Sequence, residues 1–262
     1  GDWSSDVCSS DLVAIVAAVA IGLVLRTSWD LAERRGRFVT AVTHELRTPL
    51  TTFCLYSQML DEGMVPDEAR RKEYFGTLRS ESQRLSRIVE SVLDYARLGR
   101  NNALRNASPV PLGELVDQLV GTLAARCEQA DMILVVERNA ESDRTIVTDP
   151  ATVERILFNL VDNACKYAAA GTDRRIHFDV RIGGGDLILA IRDHGPGVTP
   201  PERASIFRPF VRGKHHGDGS ISGLGLGLAL AKGLADQLGG DLALASSESP
   251  GAEFRLRLPL AA

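Results

Sequence analysis

The sequence predicts a chain in two parts. An all-α helical hairpin, built to pair with a second copy as a four-helix bundle, is followed by an α+β two-layer sandwich. Three observations carry this expectation. Up to Leu98 the apolar residues recur at helical spacing. Residues 99–111, GRNNALRNASPVP, are rich in Asn, Gly, Ser and Pro and break the pattern. Beyond them, helical and alternating segments take turns to the C-terminus.

Each element follows from local pattern. Val39, Val42, Leu46, Leu50, Phe53 and Leu60 share one face of a first helix over residues 30–64, which Gly63 can end. Pro66, Asp67 and Glu68 suit a new N-terminus with acidic residues in its first turn. The second helix runs to Leu98 with Phe75, Leu78, Ser82, Leu85, Val89, Val92 and Ala96 as a heptad seam. One hairpin cannot cover apolar stripes on both flanks, so a homodimer is expected. Residues 30–98 therefore form a dimerisation hairpin, 99–111 a linker and 112–262 a second domain. In that domain residues 112–130 read as a helix, and 132–137 and 145–148 as strands. A helix over 150–169 has Asp149 as cap and Pro150 at its first position. RIHFDVRI and DLILAIRD flank Gly183, Gly184 and Gly185 as a β-hairpin. A long loop, a helix from about Gly223 to Leu238 and a last strand pair (241–245, 253–258) complete one mixed sheet with helices on one face.

Composition narrows the function. The net charge of -4 sets up no field for nucleic acid, so no nucleic-acid partner is expected. Cys8, Cys54, Cys127 and Cys165 are far apart, which points to neither a zinc site nor a disulfide framework. Residues 12–25, LVAIVAAVAIGLVL, are apolar and uncharged, and Trp29 with Arg26, Arg34, Arg35 and Arg37 follows. That flank reads as a membrane exit, so residues 12–29 are expected to anchor the chain, with the rest on the cytoplasmic side. Residues 1–11 show no core pattern and are assigned to no domain; a non-native origin fits them.

Four clusters carry chemistry. His44 begins H-E-L-R-T-P-L on the first helix. Neutral imidazole is a nucleophile near pH 7, and adjacent Glu45 can hold its tautomer and take its proton. Thr48, four residues on, can orient a water on the same face. Pro49 leaves the Glu45 carbonyl without its helical partner and should bend the helix. Arg47 suits a phosphate or acidic partner as well as it suits open solvent. In N-L-V-D-N-A-C-K-Y, Asn159 and Asn163 share a helix face, with Lys166 and Tyr167 a turn later. Amide oxygens suit Mg²⁺, an ammonium suits phosphate, and a phenol ring can pack on a purine. In D-H-G-P-G-V, Asp193 can accept an adenine amino hydrogen, while Gly195 and Gly197 admit close backbone approach. S-G-L-G-L-G-L-A places Gly223, Gly225 and Gly227 where a helix begins, with amides facing anions. It lacks the G-K-[ST] of a P-loop and the acidic residue of a Rossmann unit. Between the glycine sets, Phe207 and Phe210 would anchor a lid carrying Arg208, Arg212 and Lys214.

Taken together, these ordered blocks resemble the sensor histidine kinases of bacterial two-component systems from about Arg34 onward. The resemblance implies the ATP-binding sandwich shared by gyrase, Hsp90 and MutL, with ATP and Mg²⁺ as cofactors. It implies that His44 is phosphorylated with Glu45 as base, and that Asn163 holds Mg²⁺ with Asn159 in support. Lys166 and Arg212 would contact phosphates, Tyr167 would stack on adenine and Asp193 would bind its amino group. It further implies phosphoryl transfer to an Asp of a response-regulator receiver domain, a bacterial cell-membrane location, and regulator dephosphorylation as an added activity that Thr48 permits. The alternative is an ATP-binding regulatory scaffold without kinase activity.

Overall fold

The computed structural model describes residues 22, 26, 36, 38–65, 67–98, 106–139, 144–169, 171–211, 224–245 and 251–260. Helix α1 covers residues 38–61 and runs unbroken through buried Pro49. Gly63, at φ +65°, turns the chain. Asp67 then caps α2 (Glu68–Arg97), its side chain accepting from the Ala69 amide. Buried Ile88 and the half-buried Leu78, Leu85, Val92 and Tyr95 line the inner seam of α2. Tyr56 and Tyr74 pack with ring centroids 4.4 Å apart. A second seam stays open, for Phe75 is 59% exposed and Val89 48%, beside α1 residues Val39 at 60% and Leu50 at 53%. The apolar stripe that asked for a second copy is thus uncovered within one chain.

The sandwich follows. Its helices are α3 (Leu112–Glu128), α4 (Pro150–Ala168), the short α5 (Pro200–Arg203) and α6 (Gly227–Gln237). Its strands are β1 (Ser108–Pro111), β2 (Ile133–Asn139), β3 (Thr145–Thr148), β4 (Arg175–Gly183), β5 (Asp186–Arg192), β6 (Asp241–Leu244) and β7 (Glu253–Pro259). Five strands form one mixed sheet in the order β2-β4-β5-β7-β6, with only β2 and β4 parallel. Gly184 and Gly185, both at positive φ, make the two-residue turn between β4 and β5. Alternate residues of these strands point inward: Ile176, Phe178 and Val180; Leu187, Leu189 and Ile191; Phe254, Leu256 and Leu258. They meet Leu115, Leu119 and Leu123 of α3 and Val153, Ile156, Leu157 and Leu160 of α4 in one core.

Three features differ from the expectation. Ser108–Pro111 pairs antiparallel with β3 as a separate two-stranded ribbon, although these residues read as linker. Two prolines in four residues suppress the strand signal, yet an edge ribbon tolerates them. The last helix begins at Gly227, not near Gly223, because Gly225 sits at φ +68° and cannot continue into a helix. The third is α5, in a stretch read as loop, which Thr199 and Glu202 start with a reciprocal capping box. The expected membrane segment lies, apart from residues 22 and 26, outside the described residues. Among the described residues no helix is long and apolar enough to cross a membrane.

The two halves touch. Ile88, Leu224 and Leu226 form a second apolar cluster with Val42, Leu46, Val92, Tyr95 and Phe210. Phe38 and Tyr95 of the hairpin meet the Phe210 ring at centroid distances of 5.6 and 6.1 Å. Arg155 pairs with Asp94, and Leu98 rests where a side chain on Gly233 would have to stand.

Phe178 is fully buried at the sheet centre. We expect Phe178→Ala to destabilise the sandwich by about 3–5 kcal/mol, read as a lower urea midpoint; an unchanged midpoint would contradict the packing described.

Candidate functional site

His44 stands exposed on α1, as does Thr48 one turn on. The Glu45 side chain is 13% exposed, with Oε2 3.3 Å from Arg84 Nη2 on α2. At Pro49 the helix continues without interruption. The Thr51 hydroxyl donates to the Arg47 carbonyl at 2.9 Å, supporting the turn there.

The second group of residues surrounds a cavity in the sandwich of about 680 Å³, its open mouth included. Asn163, Tyr167, Asp193 and Gly197 line it, as the motifs anticipated. Asp193 lies just past β5 and is 5% exposed. Its Oδ1 accepts from the Gly195 amide at 2.8 Å and the Ala252 amide at 3.1 Å. Burial pushes the Asp193 carboxyl above the usual carboxylate range, and those two amides restrain the rise. With Oδ1 doubly occupied, Oδ2 is the acceptor left for a ligand. Gly197 explains itself twice: its φ is +74°, and a Cβ there would lie 2.8 Å from the Gly251 carbonyl.

Asn159 does not line the cavity. Its Nδ2 donates to the Arg155 carbonyl at 2.7 Å, and its Oδ1 lies so near Gly227 that a Cβ there would come within 3.2 Å. The start of α6 is thereby seated against α4. Lys166 is also outside the lining. Its Nζ lies 2.5 Å from Asp162 Oδ2, while Arg126 of α3 donates to Asp162 Oδ1 at 3.0 and 2.8 Å. Burial works to raise the Asp162 pKa, but Lys166 and Arg126 outweigh it and hold the group below its ordinary value. Phe207 packs edge-on to Phe254, at 6.2 Å between ring centroids, behind the cavity wall. Arg212, Lys214 and Gly223 lie outside the described residues. Gly225 is a loop residue whose carbonyl accepts from the Phe210 amide at 3.0 Å.

Several residues that build the site had no assigned role in the sequence. Glu202, Ile206, Val211 and Phe254 line the cavity with Ala252, and so do Val198 and Leu228, apolar members of the two glycine-rich motifs. Most are ordinary apolar residues on five different segments, and only the fold converges them. Asp162, inside the Asn-rich motif, had a charge signal, but its partner Arg126 is 36 residues away. Among the described residues no cluster of three His, Cys, Asp or Glu side chains could hold a metal ion.

A buried carboxylate fixed by backbone amides, an aromatic ring, an amide oxygen and an apolar wall suit a purine nucleotide with an associated cation. Comparison with known proteins agrees. Residues 34–101 match the His Kinase A (phospho-acceptor) domain family. Residues 148–262 match the histidine kinase-, DNA gyrase B- and HSP90-like ATPase family. The chain is 28% identical over 242 residues to the autoinducer 2 sensor kinase/phosphatase LuxQ of Vibrio parahaemolyticus, a match covering 91% of this chain and 28% of that protein. The chain therefore spans well under half of that curated relative. Its fold is similar to the Acinetobacter baumannii histidine kinase AdeS, with TM-score 0.61, 25% identity, and coverage of 84% of this chain and 98% of that one. It is also similar to full-length ShkA in complex with AMPPNP, with TM-score 0.60, 29% identity, and coverage of 85% and 45%.

The depressed Asp162 pKa carries a sign. Its stabilisation is complete above the unfolded value, near 3.9, and is lost as pH falls through the lower folded value. We expect Asp162→Asn to cost about 1–3 kcal/mol at pH 7, with the gap closing below about pH 4. Urea melts at both pH values test this, and a gap independent of pH would argue against the network.

Proposed function

The chain belongs to the sensor histidine kinases of bacterial two-component systems, and from that premise we propose that it phosphorylates His44 from ATP and passes the group to an Asp of a response-regulator receiver domain. The observation that carries this reading is a solvent-exposed imidazole on a helical hairpin, joined in one chain to a separate cavity lined by Asp193 and Asn163.

In this reading Asp193 accepts the adenine amino hydrogen, and Tyr167 packs on the ring against Val198, Ile206 and Leu228. The Asn163 amide oxygen would hold Mg²⁺, and Asn159 seats the start of α6 against α4. A cation held mainly by phosphate oxygens and water needs only one or two protein oxygens, which fits a single amide on the wall. When bound, Mg²⁺ neutralises charge on the phosphate oxygens. Lys166 exchanges Asp162 for a phosphate oxygen, Arg212 supplies a second cation, and Phe207 supports the wall under the lid. A neutral imidazole nitrogen of His44 attacks the γ-phosphorus. The N–P bond forms as the P–O bond to ADP breaks, and the proton leaving the ring passes to Glu45. Exposed Thr48 supports dephosphorylation of the regulator as a second activity. The open seam of Phe75, Val89, Val39 and Leu50 supports a homodimer. The apolar run 12–25 with its arginine flank supports anchoring in the bacterial cell membrane, with the catalytic part cytoplasmic.

The direct test uses γ-labelled ATP with Mg²⁺. We expect acid-labile label on the protein that disappears in His44→Gln and in Asn163→Ala. Label that survives His44→Gln rejects the acceptor, and ATP binding without any label favours the scaffold alternative.

Asp193 gives an independent check. Asp193→Asn should weaken ATP binding about ten- to a hundredfold, as expected for a lost hydrogen bond to a charged group. Because burial raises this carboxyl's pKa, wild-type affinity should fall on acidification before an ordinary carboxylate would titrate. Calorimetric titrations from pH 7.5 to 5 that show the same slope in Asp193→Asn would remove Asp193 from the adenine site.

A further inference from the structure

Arg84 stands between two carboxylates. Its Nη2 lies 3.3 Å from Glu45 Oε2 on α1, and its Nη1 lies 3.6 Å from Glu81 Oε2 one turn back on α2. The three side chains are mostly covered: Arg84 is 26% exposed, Glu81 19% and Glu45 13%. Both contacts are longer than the 2.7–2.9 Å typical of charge-assisted hydrogen bonds. Arg84 Nε and Glu81 Oε2 are buried and make no hydrogen bond. One guanidinium is therefore shared by two carboxylates, and it keeps unused bonding capacity toward Glu81.

This arrangement has a consequence for His44, the neighbour of Glu45 in the chain. A guanidinium against a covered carboxylate fixes where its oxygens lie. A Glu45 carboxylate kept inside the hairpin can turn to take a proton from the neighbouring imidazole; one swung outward cannot. The spare capacity on the other side provides for release. When Glu45 turns toward the imidazole, Arg84 can close on Glu81, so no buried charge is stranded.

We propose that Arg84 is a positioning residue for phosphorylation of His44: it holds the Glu45 carboxylate inside the hairpin, one residue from the acceptor, and yields it by shifting to Glu81. The proposal rests on the reading that His44 is phosphorylated with Glu45 as its base. It places part of the reacting assembly on α2, where no motif pointed.

The test is a double-mutant cycle on the full chain, read as the rate of acid-labile labelling at saturating ATP and as KM for ATP. Arg84→Met should slow labelling about tenfold with KM unchanged, since Arg84 lies outside the nucleotide cavity. Arg84→Lys, which keeps a cation, should recover much of the rate. In a Glu45→Gln background Arg84→Met should have no further effect, because the carboxylate it serves is gone. The same loss in both backgrounds, or full activity of Arg84→Met, overturns the proposal while leaving His44 as acceptor. Undiminished labelling in Glu45→Gln overturns it together with the base assignment. Label retained in His44→Gln defeats the underlying reading instead. Thermal melts separate a fold effect: a variant that melts with the wild type yet labels slowly supports positioning, and one whose slow labelling returns in full on cooling below its melt overturns it.

Discussion

The nucleotide cavity depends on one close backbone approach, where the chain leaving β5 meets the chain entering β7. Beyond the last paired residues of these strands, the Asp193 amide donates to the Ala252 carbonyl at 3.0 Å, and the Ala252 amide returns a bond to the Asp193 carboxylate. Gly251 lies against the Asp193 and His194 backbone so tightly that no Cβ could be accommodated there. Gly197 meets Gly251 from the other side. The same contact that continues the sheet also fixes one oxygen of the carboxylate and leaves the other for a ligand. These hydrogen bonds are why the carboxylate tolerates near-complete burial.

A second level of organisation is the use of ionic pairs as adjustable joints. Asp162 ties Lys166 to Arg126, linking α3 and α4 beneath the cavity. Arg84 ties Glu45 to α2. In each case a residue expected at the chemistry is found held by a partner slightly away from it. The hairpin and the sandwich meet through apolar rings at Phe38, Tyr95 and Phe210, where a shift costs little directional bonding. The chain thus combines a rigid sheet with several points at which a side chain can trade one partner for another.

Much of this was legible in the sequence. RIHFDVRI and DLILAIRD around three glycines identified the β-hairpin that β4 and β5 form, and Asp149 before Pro150 identified a helix start that the structure reproduces, with the Asp149 side chain accepting from Ala151 and Thr152. Asn163, Tyr167, Asp193 and Gly197 converge on one cavity as their residue types suggested. What was not legible is either non-local or hidden by unusual composition. The Glu45–Arg84 pair joins residues 39 apart, and although Glu45 stands in a motif, nothing in the sequence singles out Arg84. Ala252 contributes a backbone amide, for which its side chain is no guide. Ser108–Pro111 is a strand despite its prolines, because an edge ribbon asks little of backbone donors. The start of α6 moved because a positive φ at Gly225 is a property of the folded loop that a glycine permits without requiring.

The contact between Leu98 and Gly233 has a wider reach than its size suggests. Leu98 is the last residue of the hairpin, and Gly233 lies on the outer surface of α6, the helix seated on Asn159 beside the cavity. The methyl groups of the leucine occupy the space that a Cβ on residue 233 would need. A side chain there would displace first the flexible end of Leu98, so the seam between hairpin and sandwich is adjusted through one side chain before either backbone has to move.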